Sequence, residues 1–291
     1  MLALSEPAKP RFAYGFWRYS ERDLERATQM LALARENGID HLDTADVYGG
    51  PGRFGGSEAV LGAIRARAPG LFDGAVLATK GGIKPGAPYN STRDYLTGAC
   101  EASLKRLGVE RVDLYYIHRP DLLTHSEDLA ATLDSLVRDG KIGAVGVSNF
   151  TPSQVSALAR YLKAPIAVHQ LEFSAAHVEP ACNGVLDQAM ERQIAVAAWS
   201  PLAGGALGDG EAKAPLLLRV REALDKIARR ERISPTVVAL AFVMRHPAIA
   251  TPILGTTTPE RLRDALAARQ FTLARRDWYD LVEAWRGGRM P

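Results

Sequence analysis

Cysteine is almost missing from the 291 residues. Only Cys100 and Cys182 occur, with no CxxC or Cys/His cluster around either, which excludes a disulfide framework and a structural zinc site and fits a reducing compartment. Long apolar runs are missing too. The longest, Val237 to Met244, falls far short of the roughly 20 residues that span a bilayer. At the N-terminus the apolar stretch stops after Leu4, and Pro7 and Pro10 follow, which is too brief for a secretory h-region. A soluble cytoplasmic protein is expected. Nor does one sign of charge dominate: 36 Lys and Arg against 33 Asp and Glu leave a net charge of +3, without the clustered excess that neutralises many phosphates. Nucleic acid is therefore not the expected partner. No Pro/Gly/Ser linker divides the chain, so one domain over 1–291 is expected. What is present is ordinary for a globular protein, 47% hydrophobic and 24% charged residues, and this excludes disorder and fibrous repeats.

Short β-rich runs alternate with longer segments of helical period. The runs cover 11–16, 39–45, 75–80, 112–118, 142–149, 166–174, 194–200 and 249–254. Helical stretches lie between them. In 21–37, Leu24, Ala27, Leu31 and Ala34 recur at steps of three and four, and Asn37-Gly38 supplies a stop. Others cover 57–68, 91–107, 126–139, 152–162, 184–192 and 258–268, and Thr151-Pro152 and Ser234-Pro235 each set a capping hydroxyl before a proline. Eight strands alternating with helices predict an α/β fold, a (β/α)8 TIM barrel. The surplus predicts extra helices near the C-terminus, at 215–231, 234–245 and 276–286.

The rival architecture is a doubly wound sheet. Gly50, Gly52 and Gly55 spell GxGxxG, with Asp73 near the distance of a ribose-binding acid. That fingerprint belongs in a tight turn leaving its strand, whereas Thr44 to Gly49 intervene here. A loop ending at a helix cap, Ser57, is the preferred reading.

In a barrel, polar residues at C-terminal strand ends converge on one mouth. Asp43 ends the second strand, Tyr48 lies in the loop after it, Lys80 ends the third strand and His118 the fourth. Singly, each has an ordinary structural explanation: a turn cap, a snorkelling lysine, a satisfied interior histidine. Jointly, three ionisable groups at three successive strand ends are costly to bury unless paired. A lysine beside a tyrosine has a use, because a phenol of pKa about 10 works as an acid or base near neutral pH only when a cation stabilises its anion.

The segments HLDTADVYGG, LATKGG, YYIHRPD, VGVSNF, WSPLAGG and PILGTTTPERLRDAL resemble, in order and strand position, the signature segments of the aldo-keto reductases. The resemblance runs from Gly15 to about Trp285 and is nearest a short-looped bacterial branch. It implies hydride transfer from a reduced nicotinamide to a carbonyl carbon, with Tyr48 as general acid, Lys80 tuning it, Asp43 paired with Lys80, and His118 orienting the carbonyl oxygen. No metal is needed. It implies further that Ser148, Asn149 and Gln170 hold the carboxamide and that Trp199 stacks on the nicotinamide. Ser200, Leu202 and Gly204 border the pyrophosphate, and Gly255, Thr256, Thr257, Arg261 and Asp264 meet the adenosine phosphate end.

Trp17 lines the substrate pocket or is a surface staple, and Phe54 and Tyr89 contribute from the next two loops. Neither cysteine is given a role. Many NADPH-preferring relatives have lysine where Gly255 stands and a polar residue where Ala265 stands. Arg261 remains, so NADP(H) is the expected cofactor and a small carbonyl compound the expected partner. Two other functions stay open: a Schiff-base aldolase using Lys80, and a nicotinamide-binding regulatory or sensor protein with little turnover. The natural substrate and the oligomeric state are not legible.

Overall fold

The computed structural model describes residues 12–50, 53–248 and 250–291. Arg11 and Ile249, expected to open the first and last strands, lie outside the described residues. So do Gly52 of the glycine string and the N-terminal residues through Pro10.

Eight parallel strands form a closed barrel, as the alternation predicts. They are β1 (Ala13–Gly15), β2 (His41–Asp43), β3 (Val76–Gly81), β6 (Val112–Ile117), β7 (Ile142–Ser148), β8 (Ile166–Glu172), β9 (Ala195–Trp199) and β10 (Thr251–Leu254). Ten α-helices accompany them among the described residues. None is long and apolar enough to cross a membrane. The strands are mostly Val, Ile, Leu, Ala and Tyr, the composition of parallel strands buried on both faces.

The backbone falls into two compact units, Ala13–Gln170 and Leu171–Pro291 with Phe12. The first holds β1 to β3, β6, β7 and most of β8. Its helices are α1 (Leu24–Glu36), α2 (Gly56–Arg67), α3 (Arg93–Leu107), α4 (Ser126–Arg138) and α5 (Pro152–Ala159). The register sets Asp43 beside Ala78, Lys80 beside Tyr116, Tyr116 beside Gly146 and Ser148 beside Gln170. Side chains alternate along a strand, so Lys80 and Tyr116 share one face while Thr79 and Tyr115 take the other. Two glycines are required by close approach. A Cβ on Gly146 would come within 2.4 Å of the Tyr116 ring, and one on Gly81 within 2.0 Å of the Tyr115 hydroxyl.

The expected helix signals operate. Gly38 has φ +70 just beyond the end of α1, and the Thr151 hydroxyl accepts from the Gln154 N–H in a full capping box. Ser57 is a correction. The cap of α2 is Gly55, with φ +83, and Ser57 lies inside the first turn, fully buried. Its hydroxyl is taken by carbonyls from another loop, so it is not left for its own helix. A hairpin of β4 (Ile83–Lys84) and β5 (Ala87–Tyr89) also follows β3. Two prolines in this stretch mask its strand character. The Pro85-Gly86 turn, with Gly86 at φ +82, was the available signal.

The second unit contains β9 and β10 with α6 (Val185–Glu191), α7 (Pro215–Glu231), α8 (Pro235–Met244), α9 (Pro259–Leu266) and α10 (Arg275–Arg286). Thus α7, α8 and α10 are the extra helices read from the sequence. The Ser234 hydroxyl caps α8 by accepting from Val237 N–H, and Trp278 stacks on Phe242 with ring centroids 5.0 Å apart.

Candidate active site

The first unit gathers Asp43, Tyr48, Lys80 and His118. Lys80 is 0% exposed, and an ammonium so placed must satisfy its three donors. Its Nζ donates to Asp43 Oδ2 at 2.7 Å and to the Thr44 carbonyl at 2.7 Å. It faces the Tyr48 ring 4.9 Å from the centroid and interacts with the phenol. Burial opposes the charge, yet Asp43 and Tyr48 together hold the ammonium above its ordinary pKa. The other Asp43 oxygen, Oδ1, accepts from Gln170 Nε2 at 2.8 Å. Gln170, expected to hold a carboxamide, is thus tied to the ion pair.

Burial pushes the Tyr48 phenol above its ordinary pKa, against the pull of Lys80. The phenol is therefore protonated at neutral pH and stands beside a cation that stabilises its anion. His118 meets Tyr48 edge to face at 5.6 Å. Burial first, then Lys80 and Arg119, drives its imidazole well below the ordinary value, and its buried Nδ1 has no hydrogen-bond partner. The ring is neutral and keeps one N–H to donate. A protonated phenol, a supporting ammonium and a neutral imidazole together can deliver a proton to an oxygen and orient it.

Loop backbone fixes these groups. Thr44 N–H and Asp46 N–H donate to the Ala78 and Lys80 carbonyls at 3.0 and 3.1 Å, and His118 N–H donates to Gly81 at 2.9 Å. Thus β2, β3 and β6 are pinned together beyond their ladders. Ser148 and Gln170 are buried. Asn149 has φ +59, and its Nδ2 donates to the Ser148 hydroxyl at 2.7 Å.

Trp17 and Phe54 stand exposed on the loops after β1 and β2, whereas Tyr89, expected in a loop, is exposed as the last residue of strand β5; Trp17 carries the Arg18 guanidinium 4.4 Å over its ring. Leu122 and Leu123, after β6, are 81% and 96% exposed. Sequence reading missed them because two leucines in a loop look like any short apolar pair.

In the second unit, Trp199 ends β9 half-buried, and the turn after it is strained. Ser200 and Ala203 have φ +49 and +47, and Gly204 has φ +72. Left-handed Ser and Ala cluster at functional turns. Leu202 precedes a short 3-10 helix, Ala203–Gly205. Gly255, Thr256 and Thr257 follow β10, and Thr258 N–H donates to the Thr256 hydroxyl at 3.2 Å. Arg261, in the first turn of α9, donates from Nε to Asp209 at 2.7 Å, with both side chains exposed. Asp264 accepts from the Ser234 hydroxyl at 2.8 Å and so braces the start of α8. Both cysteines are free thiols. Burial pushes Cys100 up to about 12, which leaves it inert.

The profile of the Aldo/keto reductase family matches residues 11–286. Similar proteins include two named 6-dehydroglucose reductase. The one from Novosphingobium aromaticivorans is 42% identical, covering 96% of this chain and 92% of its own. The one from Agrobacterium fabrum is 36% identical, covering 96% of each. The Escherichia coli oxidoreductase YdhF is 32% identical, covering 100% of this chain and 98% of its own. With a family match across nearly all of a closed eight-stranded parallel barrel, the chain belongs to the aldo/keto reductase family.

Proposed function

We propose that the chain is a single-domain, cytoplasmic, NADP(H)-dependent reductase that converts an aldehyde or ketone to an alcohol, with Tyr48 as general acid. The observation that carries this reading is the buried ammonium of Lys80, held between Asp43 and Tyr48. A bound reduced nicotinamide supplies hydride to the carbonyl carbon. Tyr48 gives its proton to the carbonyl oxygen as negative charge develops there, and Lys80 stabilises the phenolate left behind. Asp43, braced by Gln170, keeps Lys80 charged and aimed. His118, neutral and with one N–H, orients the oxygen toward Tyr48.

The residues present fit such a cofactor. Ser148, Asn149 and Gln170 carry the donors and acceptors a carboxamide needs, and two of these side chains are buried. Trp199 offers a half-buried ring for stacking, and the strained turn of Ser200, Leu202 and Gly204 suits a pyrophosphate. Gly255, Thr256 and Thr257 supply small and hydroxyl-bearing groups at the adenosine end, which Asp264, held by the Ser234 hydroxyl, would also meet. Arg261 gives the cation for a 2′-phosphate, which it would share with Asp209.

A Schiff-base role for Lys80 is disfavoured, since it requires a neutral amine, whereas Asp43 and Tyr48 hold the Lys80 ammonium above its ordinary pKa against the effect of burial. Trp17, Phe54 and Tyr89 would contact the substrate. The relatives named for 6-dehydroglucose make a carbonyl-bearing sugar the first compound to assay. Tyr48→Phe keeps the ring and removes the proton. Reduction followed by loss of NADPH absorbance should fall at least ~100-fold with coenzyme affinity nearly unchanged. Normal turnover would remove Tyr48 from the mechanism, and undetectable turnover in the wild type across aldehydes, ketones and sugars would favour the sensor reading.

A further inference from the structure

Behind β3, on the face opposite Lys80, lies a second buried polar cluster that the proposed chemistry does not use. Glu58, in the first turn of α2, is fully buried. Its Oε1 accepts from the Thr79 hydroxyl at 2.5 Å, and its Oε2 accepts from Arg106 Nε of α3 at 2.7 Å. Arg106 also reaches the Ser103 hydroxyl at 3.2 Å and lies against Gly55, where a Cβ would come within 2.4 Å of its Nε. A carboxylate in such a place is costly unless paired and fully hydrogen-bonded, and this one is.

The partners of residues 57 and 58 show what the cluster holds. Ser57 N–H donates to the carbonyl of Tyr48 at 3.1 Å. The Ser57 hydroxyl lies 2.9 Å from the Phe16 carbonyl and 2.8 Å from that of Tyr19, sharing one proton between the two residues that flank the Trp17 loop. One residue on, Glu58 grips Thr79, the chain neighbour of Lys80. Two adjacent residues of α2 therefore hold the backbone of the proton donor on one side and the strand of its cation on the other.

Resting on the roles given above to Tyr48 and Lys80, we propose that Glu58, neutralised by Arg106 and bonded to Thr79, is a positioning residue that sets the Tyr48 to Lys80 separation from the outer face of β3. The catalytic pair then depends on a group that touches neither substrate nor cofactor.

Thr79→Val preserves shape and cuts the link. It should lower kcat about tenfold and leave coenzyme Kd within about twofold of wild type. The alkaline limb of the kcat profile should move to higher pH, because a phenol that loses its cation becomes harder to ionise. Thr79→Ser should restore both. Glu58→Gln, which weakens a charge-assisted bond without removing it, should move both readouts the same way by less. In a Tyr48→Phe background Thr79→Val should cost little more, since the group it positions is already gone. Wild-type kcat and pH profile in Thr79→Val and Glu58→Gln, with only a lowered Tm, would overturn the positioning role while leaving Tyr48 in place. An equal loss from Thr79→Val with and without Tyr48 would do the same. Normal turnover of Tyr48→Phe alone would overturn both readings.

Discussion

Asp46 sits between Asp43 and Tyr48 in the loop after β2, fully buried, and neither carboxyl oxygen has a side-chain hydrogen-bond partner. Burial first, then the charge of Glu58, lifts its pKa from 3.8 to about 8, against the opposing pull of Arg106, the Val47 backbone and Lys80. Tyr95 and Tyr115 also lie within electrostatic reach. The folded protein therefore keeps a proton that the unfolded chain releases near pH 4. Between these two values the native state binds more protons than the unfolded one, so stability falls as pH rises and levels off above about 8. A gap of roughly 4 units, at 1.36 kcal/mol each, makes the loss on the order of 5 kcal/mol. Asp46→Asn keeps the shape of the neutral acid and removes the titration. Denaturant midpoints of both proteins at pH 4, 6, 8 and 9 should coincide at the acid end and separate progressively, with the variant more stable at pH 9. Parallel pH dependence of the two proteins, or a variant less stable than wild type at pH 9, would refute the reasoning.

Lys80→Met should abolish most turnover by removing the cation beside Tyr48. It should also lower unfolding free energy by about 3 to 5 kcal/mol, because Asp43 keeps its buried charge and loses its ionic partner; wild-type pH profiles for turnover would make the ion pair purely structural. Arg261→Ala should weaken NADPH about 10- to 150-fold and barely change NADH, measured by quenching of tryptophan fluorescence. Asp209→Asn should favour NADPH by releasing Arg261, and equal effects on both coenzymes would place the preference elsewhere.

Much of this protein is written along the chain. Alternating β-rich runs and helical periods fix the eight barrel strands and the ten α-helices of the described residues, because burial of parallel strands on both faces and of one stripe per helix leaves a pattern in local residue order. The strand ends then name Asp43, Lys80 and His118 without any coordinates, since a barrel delivers every such end to one rim.

Other features depend on which side chains meet across elements. Ser57 reads as a cap because Ser before a helical period usually is one, and only tertiary packing offers its hydroxyl the Phe16 and Tyr19 carbonyls instead. The ties of Gln170 to Asp43, Arg261 to Asp209 and Asp264 to Ser234 join residues far apart in the chain, at separations no periodicity encodes. The same holds for Glu58, Thr79 and Arg106, brought together from α2, β3 and α3. Sequence establishes which face of an element is buried. Whether a buried charge finds its partner, and how far its proton affinity moves, is decided by three-dimensional packing, because desolvation and Coulomb attraction depend on distances through space rather than along the chain.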